Sequence, residues 1–106
     1  MLEKLLLKEA ERRREVFRNL TKHLRDLSLL LKRMDEESRI FLFGSLARWD
    51  HVLISEVDVL IKTNLKPKEV IAKLRGEGFD EPFEFHIVDE REFEIYKGLI
   101  PELKEI

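Results

Sequence analysis

A glycine–serine pair and three acidic residues are the side chains of this sequence best suited to chemistry. Gly44-Ser45 directly follows the apolar run Ile40-Phe41-Leu42-Phe43, and ten residues further on Glu56-Val57-Asp58 sets two carboxylates one residue apart. A tight glycine–serine turn between a buried strand and a helix start leaves backbone N–H groups and a hydroxyl free to cradle a phosphate, with the helix dipole favouring the anion. Carboxylates at i and i+2 of a strand point to the same side. Such hard oxygen ligands suit Mg²⁺, which takes only one or two groups from protein and keeps sites for phosphate oxygens and water. Two ions of this kind can stabilise the attacking and leaving oxygens of an in-line displacement at phosphorus. A third acid, Glu84, alternates with Phe83, Phe85 and Ile87 and so falls on the polar side of its own strand. Beside Glu56 and Asp58 it would complete a metal site and could accept a proton from an attacking hydroxyl. Three acids converging without a cation would repel one another, which is the physical reason to expect a metal.

Each signal has a plainer reading when taken singly. Gly-Ser occurs at many strand-to-helix turns, Glu-Val-Asp can be the wet face of an edge strand, and Glu84 can be a solvated strand residue. Spacing and combination give the set its weight. His86 shares the face of Glu84, but a lone strand histidine reads first as a structural hydrogen-bonder, so the expected site omits it. The Arg12-Arg13-Arg14 run is flanked by Glu11 and Glu15 and reads as a solvated helix face.

The elements that must position these residues follow from periodicity. No Gly or Pro occurs between Leu2 and Met34, and Phe17, Leu20, Leu24, Leu27, Leu31 and Met34 recur at helical spacing. One continuous helix over this stretch would be roughly 50 Å long, against a radius of gyration near 13 Å for a domain of this size. Its leucine-rich start, Leu2, Leu5, Leu6 and Leu7, is therefore expected to overhang, either fraying in solvent or meeting a partner. Strands are predicted at Arg39–Phe43, Glu56–Ile61 and Phe83–Val88. A short helix is predicted after Gly44-Ser45, and a longer one from Pro67 to Gly76. Asp89 caps a last helix that Gly98 and Pro101 interrupt. The fold class is α+β: a small mixed sheet of three or more strands flanked by helices and preceded by a long N-terminal helix. Residues 1–106 read as one domain, with 1–34 a helical extension and 39–106 the core.

Composition narrows the function classes. The 106 residues carry a net charge of −2 although 40% are charged, so no basic field advertises direct nucleic-acid binding. The absence of cysteine excludes disulfides, thiolate metal sites and a cysteine nucleophile. No apolar run approaches the ~18 residues of a membrane helix, and the N-terminal residues do not resemble a signal peptide. A soluble, cytoplasmic chain with no membrane contact is expected.

Phe43-Gly44-Ser45-Leu46-Ala47-Arg48, followed by Ser55-Glu56-Val57-Asp58-Val59-Leu60-Ile61, resembles the signature of the DNA polymerase β-type nucleotidyltransferase superfamily, and the small size resembles its minimal nucleotidyltransferases. The resemblance is close over residues 39–61 and looser through Glu84. It implies that Gly44, Ser45 and Arg48 bind the nucleotide and that Glu56, Asp58 and Glu84 hold two Mg²⁺ ions and carry catalysis. The implied reaction moves AMP from ATP to a hydroxyl acceptor. It further implies that the chain is antitoxin-like, with a helical HEPN-type protein as acceptor or partner. A homodimer through the N-terminal helix is the other association expected, from the upstream leucines. Small-molecule transfer of the kanamycin or lincosamide type would need substrate-binding elements that the chain lacks. Two departures stand out: Glu56 replaces the usual aspartate, and Trp49 replaces the usual glycine. They favour the alternative of a catalytically degenerate module that binds a partner protein. The apolar segment from Trp49 to Ile54 would then serve as a contact surface rather than a base-stacking rim.

Overall fold

The computed structural model describes residues 2–44 and 56–106. The short helix expected after Gly44-Ser45 lies outside the described residues, as do Ser45, Arg48 and Trp49.

The expected long helix is two helices, α1 (Leu2–Arg18) and α2 (Leu20–Met34). Their joint is Asn19, with φ −109° and ψ 28°. The i→i−4 ladder is kept across it: the Asn19 N–H donates to the Glu15 carbonyl and the His23 N–H to that of Asn19, each at 3.0 Å. The Asn19 side-chain amide competes for the same turn, donating to the Glu15 carbonyl at 3.3 Å and to its carboxylate at 3.1 Å. Asparagine is a weak helix former because its side chain bonds locally to backbone groups, and that competition marks the break which a search for Gly and Pro passes over. The Asn19 amide, with His23 beside it, also holds the Glu15 carboxyl below its ordinary pKa.

Among the described residues four strands form one sheet in the order β3-β2-β1-β4: β1 Arg39–Phe43, β2 Val57–Lys62, β3 Phe83–Val88 and β4 Lys104–Glu105. β1 pairs antiparallel with β2 and with β4, and β2 pairs parallel with β3. The parallel pair is joined through α3 (Pro67–Gly76), which opens on proline at a position where no helical N–H is needed. β2 begins at Val57 rather than Glu56, because the first N–H donated to the β3 side is that of Val57, to the Pro82 carbonyl at 2.8 Å. β4 adds a strand that periodicity does not predict, since two residues give none. The bidentate Arg39–Glu105 pair, at 2.7 and 2.8 Å, fastens it to β1 and holds the Glu105 carboxyl below its ordinary pKa.

Alternation along the strands separates two apolar layers. Ile40, Leu42, Val57, Val59, Ile61 and Phe83 face Leu27 and Leu31 of α2 and Val70 and Leu74 of α3, with Phe17, Leu20, Leu24 and Met34 packed alongside as the helical stripe requires. On the other face Phe41, Leu60 and Val88 pack against Phe93 of α4 (Glu90–Leu99). A capping box starts α4: the Asp89 carboxylate accepts from the Glu92 N–H, and the Glu92 carboxylate accepts from the Asp89 N–H. α4 runs through Gly98 and stops at Ile100, whose φ of −105° and ψ of 108° are extended, as the residue before Pro101 requires. At the opposite end of the chain Leu2, Leu5, Leu6 and Leu7 are 61–69% exposed, in agreement with the expected overhang. Among the described residues no helix is long and apolar enough to cross a membrane.

Candidate active site

The sheet register decides which of the expected site residues meet. Phe43 pairs with Asp58 across β1–β2, and Asp58 pairs with Glu84 across β2–β3. All three therefore lie in one row on the α4 side of the sheet. The next row is Phe41, Leu60 and His86, in which Leu60 is fully buried. The polar row thus begins where the apolar layer under α4 ends. Asp58 is half-buried, with 27% of its side chain exposed, while Glu84 is exposed. Glu56 stands just before β2 and is also exposed.

Gly44 turns the chain directly after β1 with φ 76°, a conformation that costs an L-residue about 1–2 kcal/mol. It is constrained in space as well, since a Cβ at this position would come within 2.9 Å of Asp58 Oδ2. Glycine is therefore needed for the turn and for the close approach of the carboxylate to it. One Asp58 oxygen borders the turn that the sequence assigns to phosphate binding.

The other oxygen faces His86, which the expected site omits. His86 Nε2 lies 3.5 Å from Asp58 Oδ1. The pair stands within ion-pair distance, and among the described residues the nitrogen, shielded from solvent, has no hydrogen-bond partner. The ring is held edge-on by Phe43, with centroids 5.0 Å apart. A shielded polar atom without a partner is uncommon and costs about 1–3 kcal/mol. The signal for His86 was present in the alternation of β3. What made it informative is the diagonal contact with Asp58, which depends on strand pairing.

Among the described residues no three His, Asp or Glu side chains converge closely enough to hold a metal ion. The donors nonetheless fit a hard divalent cation that retains water: a half-buried carboxylate at a glycine turn, with Glu84 beside it in register and Glu56 two residues upstream. Ser45 and Arg48, expected to bind the nucleotide, fall outside the described residues.

No family model matches the chain, and no curated protein does. Among solved structures, "Crystal structure of putative nucleotidyltransferase" is similar at a TM-score of 0.61 and 26% identity, over 83% of this chain and 98% of that one. The mixed sheet, its flanking helices and the N-terminal helices are those of a nucleotidyltransferase fold. The same likeness supports a general function of the nucleotidyltransferase type.

Proposed function

We propose that the chain is a Mg²⁺-dependent nucleotidyltransferase that moves AMP from ATP to a hydroxyl acceptor. The observation that carries this reading is the placement of Asp58, with one carboxylate oxygen against the Gly44 turn and Glu84 beside it in register. In this reading Gly44, Ser45 and Arg48 hold the triphosphate, and Asp58, Glu56 and Glu84 hold the cations. The acceptor oxygen attacks the α-phosphorus, its proton passes to the Glu84 carboxylate, and the bond to the bridging α–β oxygen breaks to release pyrophosphate. Bound Mg²⁺, in one or two ions, would neutralise charge on the triphosphate and on the reacting oxygens. Glu56 reaches one methylene further than aspartate, and such sites depend on sub-ångström placement, so a rate below that of an aspartate site is expected.

The test is isothermal titration with ATP, with and without Mg²⁺, on wild type and on a Glu56→Ala/Asp58→Ala double variant. Metal-dependent binding that the double variant loses is the expected result. Wild type that binds neither metal nor nucleotide overturns the reading.

A second reading rests on a separate observation. The exposed Leu2, Leu5, Leu6 and Leu7 of α1 suit a protein contact, in keeping with a helical HEPN-type partner or a second copy of the chain. If the chain is a binding module that has lost catalysis, Glu56→Asp restores no transfer of label from ATP. If it is an impaired enzyme, Glu56→Asp raises that transfer.

A further inference from the structure

We propose that His86 belongs to the cation site and gives it a preference for Mn²⁺ over Mg²⁺; this rests on the cation-binding role of Asp58 proposed above. Three observations lead to it. His86 Nε2 and Asp58 Oδ1 stand 3.5 Å apart, yet no hydrogen bond joins them. The nitrogen is shielded from solvent, although the imidazole as a whole is 36% exposed. The ring is held by its edge contact with Phe43, the residue before the Gly44 turn. A histidine kept in place only to orient the carboxylate would donate a hydrogen bond to it. A nitrogen and an oxygen that approach to ion-pair distance without a hydrogen bond, on the face that carries the turn assigned to phosphates, are also spaced as two ligands of one ion.

The consequence for selectivity follows from ligand chemistry. Mg²⁺ favours an all-oxygen shell and keeps its water, whereas imidazole nitrogen suits later divalent metals. Mn²⁺ shares the carboxylate and water ligands of Mg²⁺ and, as the first and weakest member of the series of divalent metals that bind nitrogen sites, takes an imidazole as well. A site combining Asp58 with His86 therefore binds Mn²⁺ through one ligand that Mg²⁺ uses poorly. The sequence motif contains only acids and gives no indication of this.

The experiment titrates the full chain with MnCl₂, following loss of the aqueous Mn²⁺ electron paramagnetic resonance signal, and with MgCl₂ as competitor. Wild type, His86→Phe and Asp58→Asn are compared, each checked for folding by circular dichroism. Phenylalanine keeps the ring that packs on Phe43 and removes the nitrogen. Wild type is expected to bind Mn²⁺ roughly tenfold or more tightly than Mg²⁺, and His86→Phe to lose that preference while its Mg²⁺ affinity stays within about twofold. Asp58→Asn should weaken both ions. If His86→Phe binds Mn²⁺ like wild type, His86 is no ligand, and the proposed function stands without it. If wild type binds neither ion, the His86 proposal and the metal-dependent reading fail together.

Discussion

At the scale of single residues, Gly44 carries two demands, and a sequence motif displays only one of them. Glycine before serine at the end of a strand announces a turn. That the turn abuts Asp58 emerges only when β1 and β2 are paired, since the clash involves a side chain fourteen positions away. Gly44→Ala should therefore cost more than a left-handed backbone penalty. Destabilisation of about 1–3 kcal/mol is expected in a thermal melt, together with weaker Mg²⁺-dependent ATP binding as the methyl group displaces Asp58. Unchanged binding would show that the carboxylate has room to move. His86 belongs to the same lesson: alternation put it on the correct face, but its value lies in a neighbour from another strand.

At the scale of elements, strong local patterns were legible and weak ones were not. Phe83–Val88 and Pro67–Gly76 have the expected bounds because alternation and an N-terminal proline are local signals. β4 has two residues and exists through its pairing with β1, and the break at Asn19 comes from side-chain competition rather than from Gly or Pro. A further link between elements is chemical. The Thr63 hydroxyl, just after β2, donates to Asp35 at the end of α2 at 2.6 Å. That bond, with backbone N–H groups of Glu37 and Asn64, holds the Asp35 carboxyl below the usual aspartate range. Because the folded pKa is depressed, the associated stability is present above the unfolded pKa and is lost as pH falls through the folded one. Thr63→Val should lower stability at neutral pH, with the difference from wild type shrinking in the acid range below the ordinary aspartate pKa. Chemical denaturation at neutral and acid pH measures it, and a pH-independent difference would assign the effect to packing alone.

At the scale of the whole molecule, principal-axis extents of 45 × 29 × 22 Å describe an elongated body. The exposed start of α1 agrees with the expected overhang, although the length arithmetic behind it assumes one continuous helix and the chain breaks at Asn19. Exposed leucines at its start are separate from the sheet that holds the site, so the two can be altered independently. Leu5→Glu/Leu6→Glu should leave the melting temperature within a few degrees of wild type, since surface substitutions change stability by about 0.5 kcal/mol or less. If these leucines join copies of the chain, sedimentation of wild type will show concentration-dependent association that the variant lacks. A monomeric wild type would leave a different protein partner or a solvated helix end. The central segment between Gly44 and Glu56 supplies much of the sequence motif; its Ser45 is assigned from the glycine–serine turn and its Arg48 by resemblance alone.

The position of β3 has a consequence for solubility. It is one of the two edge strands of the sheet among the described residues, and its run Phe83-Glu84-Phe85-His86-Ile87-Val88 contains a single carboxylate among aromatic and branched side chains. Strands of this composition at the margin of a sheet can template intermolecular pairing, and a charge within them is a common safeguard. Glu84 is thus placed to act as a gatekeeper against self-assembly, whatever its part in the reaction. Neutralising it removes a candidate base and that safeguard in one step, so a loss of activity in such a variant has to be read beside its aggregation state.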